Sequence, residues 1–268
     1  MRSRRAAAAA LTALLLTGCA QSAAGPVARV GERAPQGVRP LSGSAAGEPP
    51  YARWGLRAPL APAPRPAARP VLKGTPLPVL SRVPTRDKVV FLTYDDGAEQ
   101  DERFVDLVRE LRLPVSMFLT DSVVGPGYGH FARLRSVGAS IQNHTLDHPA
   151  LRGLPYAGQR AEICGQQDKL KSRFGIRPHL LRPPYGTYDP TTLRAATDCG
   201  LSAVVLWRAS MEDGRLTYPR GRRHLGPGDI VSVASLETTG LTLVGRTTRL
   251  LREIQRAGLT VGRLEDYV

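Results

Sequence analysis

Two carboxylates stand side by side at Asp95 and Asp96, at the end of the run KVVFLTYDDG (residues 88–97). Adjacent acids are costly to bury unless something cationic meets them. Further along, NHTLDHP (residues 143–149) brings His144 and His148, and RPPYG (residues 182–186) brings Arg182. One carboxylate with two imidazoles is a donor set for a divalent metal ion. A four-residue step on a helical turn would set both histidines on one face, although H-x-x-x-H alone is a weak signal. The cation the acids require is then twofold: a metal takes one carboxylate with the histidines, and Arg182 takes the other.

For these groups to meet, the elements that carry them must end at one place. Apolar runs at Val89 to Thr93, Pro114 to Leu119, Ala139 to Asn143, Leu180 to Arg182, Ala203 to Leu206 and Asp229 to Ala234 read as strands. Between them, helical patterns cover Glu102 to Leu111, Gly129 to Ser136, Tyr156 to Phe174, Pro190 to Cys199 and Thr242 to Ala257, and LTVGRLEDY closes the set. Alternating strands and helices predict an α/β fold on a parallel sheet, whose functional groups collect at the C-terminal ends of the strands. TYDDG, NHTLDHP and RPPYG all follow strands.

In this order and spacing, TYDDG, HTLDH and RPPYG resemble the first three motifs of the NodB-type polysaccharide deacetylases, carbohydrate esterase family 4. The resemblance covers roughly residues 85 to 268 and implies a distorted (β/α) barrel with a divalent metal, usually zinc. It implies that Asp96, His144 and His148 are the ligands and that Asp95 is the general base. Arg182 would hold Asp95, and the backbone N–H of Tyr185 would help to bind the oxyanion. The implied reaction is removal of acetyl groups from N- or O-acetylated cell-wall glycan such as peptidoglycan or chitin-like oligomers.

Two later motifs depart from the family. The fourth, usually D-x-x-D-W, reads LWRASMEDG, where Trp207 and Asp213 fit but Ser210 and Gly214 replace an acid and a tryptophan. The fifth, usually L-x-H after GDIV, reads GDIVSVAS, with Ala234 at the position of the family's general-acid histidine. Both members of one dyad are missing, which predicts impaired activity on amides. A catalytically silent relative that binds wall glycan is the alternative. His130, Glu212 and Asp213 are the candidate substitute acids on the right face; His179 and His224 precede their strands and belong at the opposite rim.

Residues 1–18 form a signal-like segment. Arg2, Arg4 and Arg5 precede a short apolar run, and LTGC, ending at Cys19, resembles a bacterial lipobox. That implies two acyl chains on Cys19 and an extracytoplasmic protein, anchored to the outer face of the cytoplasmic membrane. Residues 19–85 hold thirteen of the 23 prolines and read as a disordered tether, with Tyr51 and Trp54 able to dock and LPVLSRVP a possible first edge strand. Residues 86–268 form the NodB-like domain. Of the net charge of +14, residues 20–85 contribute +7 and residues 86–268 only +4. The basic excess therefore lies on the tether rather than as a patch on the domain, which argues against a nucleic-acid binder. Cys164 and Cys199 are either a disulfide or two buried thiols.

Overall fold

The computed structural model describes residues 48–66, 76–234 and 240–268. The signal-like start, Cys19 and the first part of the expected tether lie outside the described residues. Helix α1 (Pro50–Arg53) and strand β1 (Val79–Leu80) lead in, followed by β2 (Val89–Asp96), α2 (Glu102–Leu111), β3 (Val115–Leu119), α3 (Asp121–Val124), α4 (Tyr128–Ser136), β4 (Ser140–Asn143) and α5 (Tyr156–Phe174). Then come β5 (Leu180–Leu181), α6 (Pro190–Asp198), β6 (Ala203–Val205), β7 (Ala209–Glu212), β8 (Arg215–Thr217), β9 (Ile230–Val233), α7 (Leu243–Arg256), β10 (Thr260–Val261) and α8 (Leu264–Tyr267). The strand order is β1-β6-β5-β4-β3-β2-β9-β7-β8, with β10 beside the foot of β2. All pairs are parallel except the β7–β8 hairpin. β1 and β8 are the two ends of this order, so the sheet forms an incomplete barrel.

Side-chain alternation along β2 sorts the core into two layers. Val89 and Phe91 point inward, where they join Phe118, Leu180, Val205 and Ile230 in the lumen. Val90, Leu92 and Tyr94 point outward beneath the helices. A strand covered on both faces reads as a near-continuous apolar run, as VVFL does. α2 has the span its pattern predicts. Asp101 caps it by accepting the Arg103 N–H at 2.9 Å, and it buries Phe104, Leu107 and Val108 against the sheet. A disulfide joins Cys164 on α5 to Cys199 at the end of α6, and so settles the cysteine alternative.

The described residues ahead of position 86 are packed on the domain, so the tether reading does not hold for them. Trp54 is buried and donates from Nε1 to Glu110 of α2 at 2.8 Å. Downstream, the carbonyls of Ala58 and Pro64 accept from Gln255 at 2.8 Å and from Tyr267 at 2.7 Å. Proline-rich chain needs no regular structure to order when side chains donate to its free carbonyls. Residues 79–80 pair with β6 as the expected edge strand.

Candidate active site and metal centre

β2 ends in Asp95 and Asp96, and the two side chains go to different partners because successive residues of a strand face opposite ways. Asp95 points into the barrel mouth. There Arg182, fully buried, donates from Nη1 to Asp95 Oδ1 at 2.7 Å and to Thr93 Oγ1 at 2.9 Å. The guanidinium also reaches the carbonyls of Val205 (3.2 Å) and Leu206 (3.3 Å) and stacks over Phe118 at 4.3 Å. A buried cation with this many acceptors is one whose burial cost is offset. Ser232 of β9 donates to Asp95 Oδ2 at 3.3 Å, so each carboxylate oxygen has its own donor.

Asp96 turns away with φ 67° and meets both histidines: Oδ1 is 3.2 Å from His144 Nε2 and 3.1 Å from His148 Nε2. Burial pushes this carboxyl up, but the two imidazoles outweigh it and hold it well below the usual carboxylate range. The decisive detail is at the other side of His144, where Nδ1 lies 2.7 Å from the backbone carbonyl of Arg182. A carbonyl only accepts, so Nδ1 donates to it, and this contact turns Nε2 toward the Asp96 carboxylate. One carboxylate oxygen close to two ring nitrogens is an arrangement that a shared cation, a proton or a metal ion, accommodates. Asp96, His144 and His148 are also the one set of potential metal donors among the described residues, all within 4.8 Å of one another. The residues present therefore fit a divalent metal.

The expected helical turn under the histidines is not there. His144 to His148 is a loop in which Thr145 (φ 71°) and His148 (φ 61°) are both left-handed. Asn143 Oδ1 accepts the Thr145 N–H at 2.9 Å, and Glu162 of α5 accepts the amides of Leu146 and Asp147. These anchors fold the loop back so that both imidazoles converge. Tyr185, φ 59°, follows Arg182 in a short 3₁₀ turn and sets its ring 4.9 Å from that of His148. Of six non-glycine residues with positive φ among those described, four belong to this site. Each such residue costs about 1–3 kcal/mol, strain that is commonly found where side-chain direction matters for function.

The residues considered as substitute acids lie elsewhere or have other duties. His130 is buried in α4, its Nδ1 3.3 Å from Glu102. Asp213 (φ 49°) and Gly214 (φ 70°) form the two-residue turn of the β7–β8 hairpin, where positive φ at both positions favours Asp-Gly. Asp213 is thus a turn residue, whatever its agreement with the fourth motif. Glu212 is exposed at the end of β7. Trp207 flanks Arg182, with the guanidinium 5.5 Å from its ring. Ser210 pairs in register with Ser232, and Ala234 follows two residues later on the same inward face. Ser232 and Thr93 were not singled out from the sequence. The signal for Ser232 was strand alternation, two residues before Ala234.

The family profile described as Polysaccharide deacetylase matches residues 82–204, the segment that carries all three motifs. The chain belongs to the polysaccharide deacetylase family. An uncharacterized protein of Streptomyces coelicolor is 65% identical over 192 residues, covering 71% of this chain and 77% of that one. A chitin deacetylase of Amylomyces rouxii is 36% identical over 126 residues, 46% of this chain but only 29% of the fungal protein. Among solved structures, a protein of Bacillus anthracis described as a CE4 family pseudoenzyme shares the fold, with a TM-score of 0.58 at 18% identity over 70% of this chain and 68% of that one.

Proposed function

We propose that this chain is a metal-dependent deacetylase of N- or O-acetylated cell-wall glycan, peptidoglycan or chitin-like oligomers, held outside the cytoplasmic membrane by lipid on Cys19. One observation carries the catalytic reading. A carboxylate oxygen faces two imidazole nitrogens, and a second carboxylate beside it is held by a different cation.

Asp96, His144 and His148 would hold the ion, zinc by the nature of the donors. When bound, it supplies a Lewis acid for the acetyl carbonyl and lowers the pKa of a nucleophilic water. Arg182 occupies Oδ1 of Asp95, which leaves Oδ2, bonded among the described residues to the Ser232 hydroxyl, to take the water's proton. The Tyr185 backbone N–H is assigned to the oxyanion. Its ring, 68% exposed, forms an apolar wall beside His148 on which a sugar face can lie. Ser210 and Ala234 leave the leaving group without a histidine acid, which directs the activity away from amides and toward esters. The glycan-binding alternative is favoured by the same two residues, and a solved structure of this fold is described as a pseudoenzyme.

The test is metal content of the purified chain, followed by acetate release from acetylated chito-oligomers, peptidoglycan and an activated acetate ester. One ion per chain and metal-dependent ester hydrolysis are expected, both reduced in His148→Ala. Unchanged metal affinity in that variant would overturn the ligand assignment. Full metal binding with no hydrolysis of any substrate would favour glycan binding without catalysis.

A further inference from the structure

On the face opposite the candidate site, the packed N-terminal segment roofs a cavity of about 670 Å³ against the end of α7. Lys88 precedes β2 and Asp96 ends it, so the two faces lie about 25 Å apart along that strand. Four cations line the cavity (Arg57, Lys88, Arg252 and Arg256) and no carboxylate does. All four are exposed. Arg256 is bonded to Glu253 at 2.8 Å, whereas Arg57, Lys88 and Arg252 have no acid partner among the described residues. Asp87, next to Lys88, interacts with Tyr267.

The α7 macrodipole favours a cation in its last turn and so accounts for Arg256. It does not account for Arg57 and Lys88, which arrive from two other segments. Between the cations the lining is apolar, with Pro59, Pro62, Pro64 and Leu259. A ligand for this cavity thus combines negative charge with apolar groups. The parts of the chain outside the described residues carry little negative charge. Residues 1–47 hold six arginines and a single acid, Glu32, residues 67–75 hold Arg69 and Lys73 and no acid, and residues 235–239 hold one acid, Glu237.

We propose that this cavity is a binding site for the headgroup of an anionic phospholipid at a bilayer surface. The phosphodiester is met by Arg57, Lys88 and Arg252, and the glycerol and first methylenes lie on the prolines. Such docking would set the barrel mouth away from the bilayer, toward the glycan. The proposal builds on the extracytoplasmic reading but needs no lipid on Cys19, and the test is arranged to keep the two apart.

The chain from residue 20 onward lacks the lipidation site and contains every buried cluster described above. It is sedimented with vesicles of phosphatidylcholine alone and of phosphatidylcholine with phosphatidylglycerol, over a range of salt. Binding to the anionic vesicles only, weakening with salt, is expected. Each cation near an anionic surface is worth roughly 5-fold, so Arg57→Gln, Lys88→Gln and Arg252→Gln together should weaken binding roughly 100-fold. A control triple, Arg103→Gln, Arg160→Gln and Arg194→Gln, should leave it near the starting value. Thermal melts check that both triples fold. Equal loss in both triples, or none in the first, would overturn the site, since net charge or the upstream arginines would then explain the binding. No binding to anionic vesicles, or tighter binding to soluble poly(glycerol phosphate) than to vesicles, would overturn the lipid occupant.

Discussion

Restoring an acid at the barrel mouth should convert an ester-biased site into one that cleaves amides. An N-acetyl amide expels an amine, which leaves poorly unless protonated, whereas an activated ester expels a stabilised oxyanion. Tyr94 pairs with Val233, so position 234 stands level with Asp95 on the neighbouring strand, and both side chains point inward. Ser210 pairs with Ser232, two residues below position 234 and one strand over. With strands about 4.8 Å apart and about 3.3 Å per residue, positions 210 and 234 are about 8 Å apart at Cα. An aspartate and a histidine, each reaching part of the way, span that gap. The carboxylate then fixes the imidazole's tautomer, which a histidine alone would lack. A positioned acid contributes about 10²–10⁴-fold. Ser210→Asp with Ala234→His should therefore raise kcat/KM on acetylated chito-oligomers by about that factor, with less than about 10-fold change on p-nitrophenyl acetate. Ala234→His alone should fall short of the pair. Acetate release on both substrates, with metal content measured in each variant, reads the result. Amide hydrolysis of ordinary enzyme magnitude in the unmodified chain would refute the reasoning, and exposed Glu212 would be the first acid to test. A metal-loaded double variant with no gain on amides would refute it from the other side.

The disulfide closes a loop across 35 residues of sequence, a constraint worth about 3–4 kcal/mol in the unfolded state. Unreduced, denatured protein should therefore titrate no thiol at Cys164 or Cys199, and Cys164→Ser with Cys199→Ser should lower Tm by about 8–15 °C in calorimetry. Asp189 caps α6, and although its burial raises the carboxyl, hydrogen bonds from the amides of Gly153 and Thr192 bring it down to about 2. A depressed carboxyl stabilises the fold above its unfolded value and loses that contribution as pH falls. Urea midpoints should thus decline between about pH 4 and pH 2, and less steeply in Asp189→Asn. Cys19→Ser should release the protein from the membrane fraction or leave an uncleaved precursor; fractionation and processing like the unmodified chain would remove the lipid anchor.

The strands and helices that hold the site were legible because their burial is periodic. VVFLTY reads as a doubly covered strand, and ERFVDLVREL gives α2 its full span. The partners of Asp95 and Asp96 were legible as chemistry, since Arg182, His144 and His148 each sit in a motif directly at a strand end. The path of the histidine loop was not. Thr145 is β-branched and sits at φ 71°, a conformation its type disfavours and that the amide anchors on Asn143 and Glu162 impose. The β7–β8 hairpin did carry a local signal, Asp213-Gly214, which was read as part of a motif instead of a turn. The docking of residues 48–66 was illegible for another reason: composition records how little apolar surface a proline-rich stretch has, not which carbonyls a distant Gln255 or Tyr267 will reach.

Arg182 bonds to carbonyls at the edge of β6 and lies over Phe118 as well as holding Asp95. It therefore answers to two kinds of selection. Were catalysis abandoned, the arginine would still be needed to close the barrel mouth, and Asp95 would still be needed to neutralise the arginine. Breaking a buried pair from one side typically costs about 3–5 kcal/mol, so neither could drift away by single steps. Their persistence in a lineage would say little about turnover. The Asp96, His144 and His148 donor set, which bonds less of the core than Arg182 does, is where a lapsed enzyme would first show decay, and here all three donors are present.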